Sequence, residues 1–222
     1  MVLQVSEDTV RRDLQELAHQ GEVVKIHGGA LSLSFRSSIE QTTTYSRDEK
    51  RTAALKALSF IKPGMFVLTS GGTTIIELAR LLPPDLNATF LTPSLSAMME
   101  YVRHPTIEAI FIGSKVSKTS LISVGVDTIN QFKNIHADLC ILGLNAIDPV
   151  YGITDNDWEV VQVKKAMIES SASLIAITIA EKVNSVYPIK VCDTSEIDIL
   201  ITDADPGDPK LEKYRNAGVQ VI

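Results

Sequence analysis

The chain has 222 residues, which suits one large domain or a medium domain with a smaller one attached. Its composition, 45% hydrophobic and 22% charged, is that of a globular protein, and no apolar run is long enough to span a bilayer, which excludes a membrane protein. The net charge of −6 excludes a surface that is basic throughout, and because Met1–Gln4 is not a signal peptide we expect a cytoplasmic protein. The two cysteines lie in apolar, strand-like stretches and are expected to be buried thiols: Cys140 and Cys192.

The first predicted element is a helix that begins after Ser6 and ends at Gly21. Ser6 is a favourable N-cap and Gly21 a favourable stop, and the acidic Glu7 and Asp8 suit the positive end of the helix dipole. Apolar residues at helical spacing predict one buried face: Val10, Leu14 and Leu17. The opposite face carries polar side chains near the helix start, where a recognition helix contacts DNA bases and phosphates: Thr9, Arg11 and Arg12.

The segment after this helix has the pattern of a β-hairpin. Val23–Ile26 is a predicted strand and Gly28-Gly29 its turn, so that a wing follows the helix. Ser6–Ala30 resembles the recognition helix and wing of DeoR-family transcription regulators, whose signature there ends in a similar Val-His-Gly-Gly-Ala run. The resemblance implies a winged helix-turn-helix that contacts DNA through these residues: Ser6, Thr9, Arg11, Arg12, Lys25 and His27.

The charge of the first 36 residues does not match a complete DNA-binding domain. They hold four arginine or lysine residues against five aspartate or glutamate residues, whereas phosphate contacts need a basic surface. A helix-turn-helix also needs a helix before the recognition helix, and only Val2–Val5 precede Ser6. We therefore expect roughly 20–30 residues of the natural protein to be absent, the chain to bind DNA poorly, and residues 1–30 to be disordered or opportunistically packed.

The rest of the chain divides into a short polar segment and a long region of alternating strands and helices. Residues 31–50 predict a linker or arm, so that we expect a partial winged helix-turn-helix over 1–30 and an effector domain over 51–222. Predicted helices cover 47–60, 75–82, 95–103, 157–171 and 209–216. Predicted strands cover 66–69, 88–92, 107–112, 138–143, 174–178, 197–202 and 219–222. Continuous β-branched strands between helices indicate an α/β fold with a mostly parallel, doubly wound sheet.

A turn rich in glycine and hydroxyl groups lies between the first of these strands and the next helix: Ser70, Gly71, Gly72, Thr73 and Thr74. Its N–H and hydroxyl groups and the helix N-terminus favour an anion such as phosphate, at the edge where open α/β sheets bind ligands. The turn is neither a Walker A loop nor a dinucleotide-binding loop. The alternative is a tight strand-to-helix turn with a threonine N-cap.

The same turn resembles the effector domains of the DeoR family, which are similar in fold to ribose-5-phosphate isomerase and glucosamine-6-phosphate deaminase and bind sugar phosphates. The family's Asp-x-Gly-Thr-Thr is matched here, except that Ser70 replaces the aspartate. The resemblance implies further ligand contacts at the same edge: Thr92, Ser94, Asn145, Asp148, Glu159 and Lys182. A helix cap is the alternative for the Thr92–Ser94 turn. Lys182 retains the lysine of the family's Asp-Ser-Ser-Lys turn, but Ile179 replaces its aspartate.

We interpret the chain as a transcription regulator, by resemblance a repressor, whose effector is a small phosphorylated metabolite. Its expected partners are operator DNA, for the full-length protein only, and further copies of itself in a dimer or tetramer, and no cofactor, metal or membrane is expected. Two alternatives stay open: a sugar-phosphate isomerase or deaminase, and a degenerate effector domain used only for oligomerisation. Asn145 argues against an enzyme, because the related isomerases have a carboxylate there and an amide cannot act as a general base. Lys164 and Lys165 are expected on a solvated helix face.

Overall fold

The computed structural model describes residues 6–20, 23–26, 29–32 and 46–222. At the amino end, α1 (Glu7–His19) starts from the Ser6 N-cap, whose Oγ accepts a hydrogen bond from the Thr9 backbone N at 3.2 Å. No residue of α1 is buried, and its predicted apolar stripe is only half-buried: Val10, Leu14 and Leu17. The strand predicted for the wing is confirmed as β1 (Val23–Ile26), which pairs antiparallel with β2 (Gly29–Ser32).

Residues 46–222 form the α/β region. Of the predicted linker, residues 31 and 32 belong to β2 and residues 33–45 lie outside the described residues. The helices of the α/β region are α2 (Arg47–Leu58), α3 (Thr73–Leu81), α4 (Leu95–Tyr101), α5 (Val126–Phe132), α6 (Trp158–Glu169) and α7 (Glu212–Asn216). Its strands are β3 (Phe66–Thr69), β4 (Thr89–Thr92), β5 (Glu108–Phe111), β6 (Lys115–Val116), β7 (Ser123–Val124), β8 (Leu139–Gly143), β9 (Ala146–Asp148), β10 (Gly152–Asp155), β11 (Leu174–Ile177), β12 (Ile189–Cys192), β13 (Ile199–Ile201) and β14 (Gln220–Val221).

Seven strands form one parallel sheet in the order β14-β13-β11-β8-β3-β4-β5, which confirms the predicted fold class. The chain winds outward from β3 through β4 to β5, returns to β8, and winds outward in the other direction through β11, β13 and β14. β3 and β8 are therefore the neighbours at which the winding direction reverses. A crevice opens beyond the carboxyl ends of two such strands, and ligands of open α/β sheets bind there.

Successive residues of the central strands face opposite sides of the sheet and build two separate cores. Val67 and Ile141 pack on the side of α2, α3 and α4, whereas Leu68 and Leu142 pack on the side of α5 and α6. The predicted apolar face of α2 is buried against the first of these cores by small residues: Ala53, Ala54 and Ala57. Because both faces of the sheet are covered, its central strands β8 and β11 are apolar and buried over almost their whole length.

The sequence patterns missed the short elements of the α/β region. These are α5, the β6–β7 pair, and the antiparallel sheet β12-β10-β9. The tip of the β9–β10 hairpin is held by Asp148, whose Oδ1 accepts hydrogen bonds from Val150 N at 2.8 Å and Tyr151 N at 3.1 Å. Gly152 follows with a φ of +74°, and a Cβ there would collide with the carbonyl oxygen of Cys192. The strands among these elements lack the continuous apolar runs that mark strands of the parallel sheet such as Leu174–Ile177.

A string of alternating charges crosses the three helices on one face of the sheet. Arg47, at the start of α2, lies 3.9 Å from Glu77 of α3. Arg80 of α3 links Glu77 at 3.0 Å to Glu100 of α4 at 2.8 Å, and Arg103 ends the string 3.3 Å from Glu100. We call these five residues the charge string. It joins the first turn of the α/β region to α4, two helices away.

The two cysteines are buried free thiols, as predicted. Burial raises the pKa of Cys140 and of Cys192 to about 12. Within the described part of the chain, no helix is long and apolar enough to cross a bilayer. The same residues contain no group of three or more histidine, cysteine, aspartate or glutamate side chains that would hold a metal ion.

Candidate ligand-binding site

The candidate site lies where the carboxyl ends of β3 and β8 meet. Ser70 follows β3 directly, and its Oγ accepts a hydrogen bond from the backbone N of Gly143, at the end of β8, at 2.8 Å. A Cβ at Gly143 would lie 2.6 Å from the Gly71 carbonyl oxygen, so that only glycine allows the two strand ends to approach this closely. Ser70 is buried and its hydroxyl group joins the two strands. Its role as a ligand contact remains a prediction.

The turn leads directly into the first turn of α3. Gly72 is the N-cap, with a φ of +109° that favours glycine, and it has no side chain to cap the helix. The expected alternative of a threonine N-cap is therefore wrong, because Thr73 and Thr74 are the first two helical residues. N–H groups at the start of a helix have no intrahelical partner and are a favourable place for an anion.

The second predicted turn has a clear structural role. Thr92 Oγ1 donates a hydrogen bond to Thr69 O at 2.8 Å and accepts one from Ser94 N at 3.1 Å. Ser94 Oγ accepts a hydrogen bond from Ala97 N at 3.3 Å and so caps α4. The helix-cap alternative is confirmed for Ser94. Both hydroxyl groups are buried, and their contact with a ligand stays a prediction.

Three lysines from separate elements come together at this edge of the sheet: Lys50 of α2, Lys164 of α6, and Lys182, which follows β11. We call them the lysine cluster. Lys182 is half-buried, and its Nζ donates a hydrogen bond to Leu144 O at 3.2 Å. Burial and the nearby charges of Lys50 and Lys164 lower the pKa of Lys182 to about 8. Lys182 forms no ion pair with any residue that the structure describes, and the charges of Glu181 and Asp155 offset only part of the effect of burial and of the other two lysines.

Sequence reasoning missed Lys50. Its side chain is buried in the first turn of α2, and burial lowers its pKa, although the charges of three glutamates act against this: Glu49, Glu77 and Glu181. A signal was present, because Lys50 lies three and four residues before the buried Ala53 and Ala54 and therefore shares their face of the helix.

The prediction that Lys164 lies on a solvated face is wrong. Its Nζ forms a buried ion pair with Asp155 Oδ2 at 2.7 Å and donates a hydrogen bond to Gly143 O at 3.2 Å. Lys164 occurs within the buried stripe of α6, at helical spacing from Val160 and Met167, and this spacing was the signal that could have placed it. Because Gly143 also binds Ser70, the lysine cluster adjoins the Ser70–Thr74 turn.

Asn145 belongs to the same group of contacts. Its Nδ2 donates a hydrogen bond to Asp155 Oδ1 at 3.0 Å, on the carboxylate that pairs with Lys164. Burial alone would raise the pKa of Asp155, but the charge of Lys164 and the hydrogen bonds from Lys164, Asn145 and the Asn156 backbone lower it overall. Asp155 is therefore an ionised, buried carboxylate that sequence reasoning did not single out.

Two other predicted ligand contacts, Asp148 and Glu159, form hydrogen bonds or ion pairs with residues outside the lysine cluster. Asp148 holds the tip of the β9–β10 hairpin, as described above. Glu159 lies at the start of α6, where its Oε1 pairs with Lys115 Nζ of β6 at 3.0 Å on an exposed surface. Neither side chain hydrogen-bonds to the lysine cluster, and their contact with a ligand remains a prediction.

The predicted DNA-binding residues are grouped at the amino end of the chain. Ser6 Oγ lies 2.8 Å from Thr9 Oγ1, and Arg11 and Arg12 are exposed on α1. Lys25 lies in β1, opposite Ala30 of β2. The remaining residue of this prediction, His27, lies outside the described residues.

Two family profiles match the chain and cover most of it. The DeoR C-terminal sensor domain matches residues 46–204, and the DeoR-like helix-turn-helix domain matches residues 1–36. Among solved structures, eIF2B beta from Chaetomium thermophilum is 15% identical and has a TM-score of 0.52, over 77% of this chain and 56% of that one. It is similar in fold alone. A D-ribose-5-phosphate isomerase in complex with phospho-erythronic acid gives a TM-score of 0.46 at 17% identity, over 61% of this chain and 53% of that one.

The chain is similar to transcription regulators over most of its own length and most of theirs. The HTH-type transcriptional repressor GlcR of Bacillus subtilis is 28% identical over 100% of this chain and 86% of its own. The HTH-type transcriptional regulator GolR of Listeria innocua is 28% identical over 99% and 88%, respectively. The glycerol-3-phosphate regulon repressor of Escherichia coli is 27% identical over 91% of this chain and 81% of its own. With its sensor-domain and helix-turn-helix matches, the chain belongs to the DeoR family of DNA-binding transcriptional regulators.

Proposed function

We propose that this chain is a repressor whose effector domain binds a phosphorylated sugar, or a related phosphorylated metabolite, at the lysine cluster. The observation that carries the proposal is the surroundings of Lys182. Its ammonium group is half-buried, and its hydrogen-bond partner within the described residues is a carbonyl oxygen and not a carboxylate. A half-buried cation with no carboxylate paired directly to it is unfavourable, and the charges of Glu181 and Asp155 offset only part of this cost. A bound phosphate supplies that charge.

The surroundings of the cluster suit the same ligand. The lysine cluster and the first turn of α3 adjoin at the reversal point of the sheet, through Ser70 and Gly143. A phosphate there meets ammonium groups on one side and the positive end of the α3 helix dipole on the other. The name of one relative, the glycerol-3-phosphate regulon repressor, also couples repression to a phosphorylated compound.

We propose that the site binds and does not catalyse. Asn145 is an amide, and the nearby carboxylate of Asp155 is held ionised in its ion pair with Lys164. A general base needs a pKa close to the working pH, whereas the pKa of Asp155 lies below its ordinary range. Regulation then requires the ligand to bind the DNA-competent and DNA-incompetent states with unequal affinity.

On the DNA side, we propose that α1 and the β1–β2 wing contact the operator in a homodimer or tetramer. Operators with two-fold symmetry are read by paired recognition helices, which a single copy cannot supply. Light scattering on the purified protein tests this assembly. A monomer at all concentrations, with or without phosphorylated sugars, would contradict it.

The ligand proposal is tested by thermal unfolding with inorganic phosphate, glycerol 3-phosphate, glucose 6-phosphate and free glucose. A ligand that binds only the folded state stabilises it by about 2.7 kcal/mol at a hundredfold excess over its dissociation constant. We expect the phosphorylated compounds to raise the melting temperature and free glucose to leave it unchanged.

The matched variants are Lys182→Met and Lys133→Met. Lys133 is an exposed lysine that follows α5, outside the lysine cluster. Lys182→Met is expected to abolish the shift caused by phosphorylated compounds, and Lys133→Met to keep it. No shift with any phosphorylated compound would overturn the proposal in favour of a domain that serves oligomerisation only. An equal shift in both variants would overturn the lysine cluster as the binding site.

A further inference from the structure

The tip of the β9–β10 hairpin carries exposed apolar side chains on a well-supported turn. Val150 and Tyr151, which we call the apolar tip, are 75% and 59% exposed. Their backbone N–H groups donate to Asp148, and Thr194 Oγ1 donates a hydrogen bond to Pro149 O at 3.1 Å. Large apolar side chains that are exposed and held in place are typical of protein interfaces, because binding them costs little conformational entropy.

A cavity of about 290 Å³ opens between α6 and β12, and we call it the side cavity. Three of its lining residues are buried or half-buried and apolar: Ile168, Val191 and Cys192. Lys165 and Glu169 of α6 also line it, and neither forms an ion pair with another described residue. The side cavity therefore suits an apolar side chain that ends in a hydrogen-bonding group.

The apolar tip and the side cavity are neighbours on the surface of one chain. Gly152, directly after the apolar tip, lies so close to β12 that a Cβ there would collide with the carbonyl oxygen of Cys192. Cys192 and the adjacent Asp193 both line the side cavity. The apolar tip is nevertheless exposed and does not fill the cavity beside it. A protrusion and a cavity side by side complement each other across a two-fold axis, where each copy supplies one of each to its partner.

Building on the homodimer or tetramer proposed above, we infer that two copies of this chain associate around a two-fold axis, with the apolar tip of each in the side cavity of the other. Tyr151 is the anchor, because its ring covers apolar side chains and its hydroxyl group can donate to a carboxylate such as that of Glu169. The interface uses β10 and α6, which also carry Asp155 and Lys164 beside the lysine cluster. Ligand and partner thus contact the same two elements.

The first test measures the dissociation constant of the assembly by sedimentation velocity on the full chain. Tyr151→Ser is expected to raise this constant at least about thirtyfold, as the loss of an interface anchor does. Val102→Ser is the matched control, because Val102 is 56% exposed directly after α4 and belongs neither to the apolar tip nor to the side cavity. It should leave the constant unchanged. The melting temperature of each variant checks that it is folded.

The second test uses mixtures to show that the contact is reciprocal. Glu169→Trp places a large ring at the side cavity and is expected to block it. Homodimers of Tyr151→Ser keep two open cavities and have no tyrosine to fill them, whereas homodimers of Glu169→Trp keep both tyrosines and have no open cavity. One of the two contacts is restored when the two variants pair with each other. Native mass spectrometry of an equimolar mixture should therefore show more heterodimer than either homodimer.

The outcomes separate the inference from the assembly on which it rests. If the unaltered protein assembles and Tyr151→Ser assembles equally tightly, or if the mixture shows no excess of heterodimer, the inference is wrong and the proposed assembly uses another surface. An equal loss in Val102→Ser would also overturn it, since the effect would not be specific to the apolar tip. If the unaltered protein is a monomer at all concentrations, the proposed assembly fails, and the inference fails with it.

Discussion

The amino-terminal segment and the α/β region differ in what gives them their structure. α1 has no buried residue, and it depends on its Ser6 cap and on its apolar spacing. The α/β region has two cores, one on each face of a seven-stranded sheet. Isolated helices as short as α1 are marginal in water, whereas tertiary packing stabilises the sheet cooperatively. Substitutions in the two segments should therefore have effects of different size and on different observables, and four substitutions test this difference.

The largest expected effect is that of Gly152→Ala, which tests whether the small β9–β10–β12 sheet belongs to the cooperative unit. Gly152 has a positive φ, and a Cβ there collides with the backbone of Cys192. We expect a loss of about 5 kcal/mol in the free energy of unfolding, measured by chemical denaturation. Gly218→Ala is the control, because Gly218 has a similar φ of +89° but open space around it, and should cost about 1–2 kcal/mol. A cost equal to that of Gly218→Ala would contradict the expected collision with Cys192, whereas no effect on the main transition would show that the small sheet lies outside the cooperative unit.

The second effect is that of removing the buried carboxylate of the site. Asp155→Ala leaves Lys164 as a buried charge without its partner and should cost about 3–5 kcal/mol in unfolding free energy. Asp155→Ala combined with Lys164→Met removes both charges and should recover most of this loss. A double variant as unstable as the single one would show that the ion pair is not the cause.

The third effect is a gain in stability with Lys182→Met. The pKa of Lys182 is about 8 in the folded protein and 10.5 as a free side chain, so that protonation favours the unfolded state. This cost is fully present below pH 8 and disappears as the pH rises from 8 toward 10.5. We expect the variant to be more stable by about 1–3 kcal/mol at neutral pH, with no difference at high pH. These measurements are made without added anions. If Lys182→Met and the unaltered protein were equally stable at neutral pH as well as at high pH, the lowered pKa of Lys182 would be contradicted.

The smallest effect is expected in α1. Ser6→Ala removes the cap and should cost the helix about 1 kcal/mol, whereas Ser6→Asp keeps a capping oxygen. Amide hydrogen exchange in α1 should become faster in the first variant only, and the main thermal transition of the α/β region should not move. A shift of that transition would mean that α1 packs against the α/β region and shares its stability.

Sequence patterns predicted the large sheet well because its strands are buried on both faces and appear as continuous apolar runs. All seven predicted strands occur, with bounds that differ by a few residues. The Ser70–Thr74 turn was also found, because its signal is local. The lysine cluster was only partly found, since Lys50 and Lys164 come from helices that are distant in sequence, and a lysine on a helix usually faces solvent. The Asp155 carboxylate was missed because the patterns did not reveal the small sheet that carries it.

The charge string has a consequence for the response of the domain to salt. Its members differ in exposure: the Arg47 side chain is 60% exposed, whereas that of Glu77 is 6% exposed. Dissolved ions screen exposed charges far more than buried ones, over a length of about 8 Å at physiological ionic strength. Rising salt therefore weakens the contacts at both ends of the charge string first, those of Arg47 and of Arg103, which is 66% exposed, and weakens the link from Arg80 to Glu100 less. Ionic strength thus acts mainly at the start of α2, where the chain arrives from its DNA-binding end, and just beyond the end of α4, and less on the link between α3 and α4.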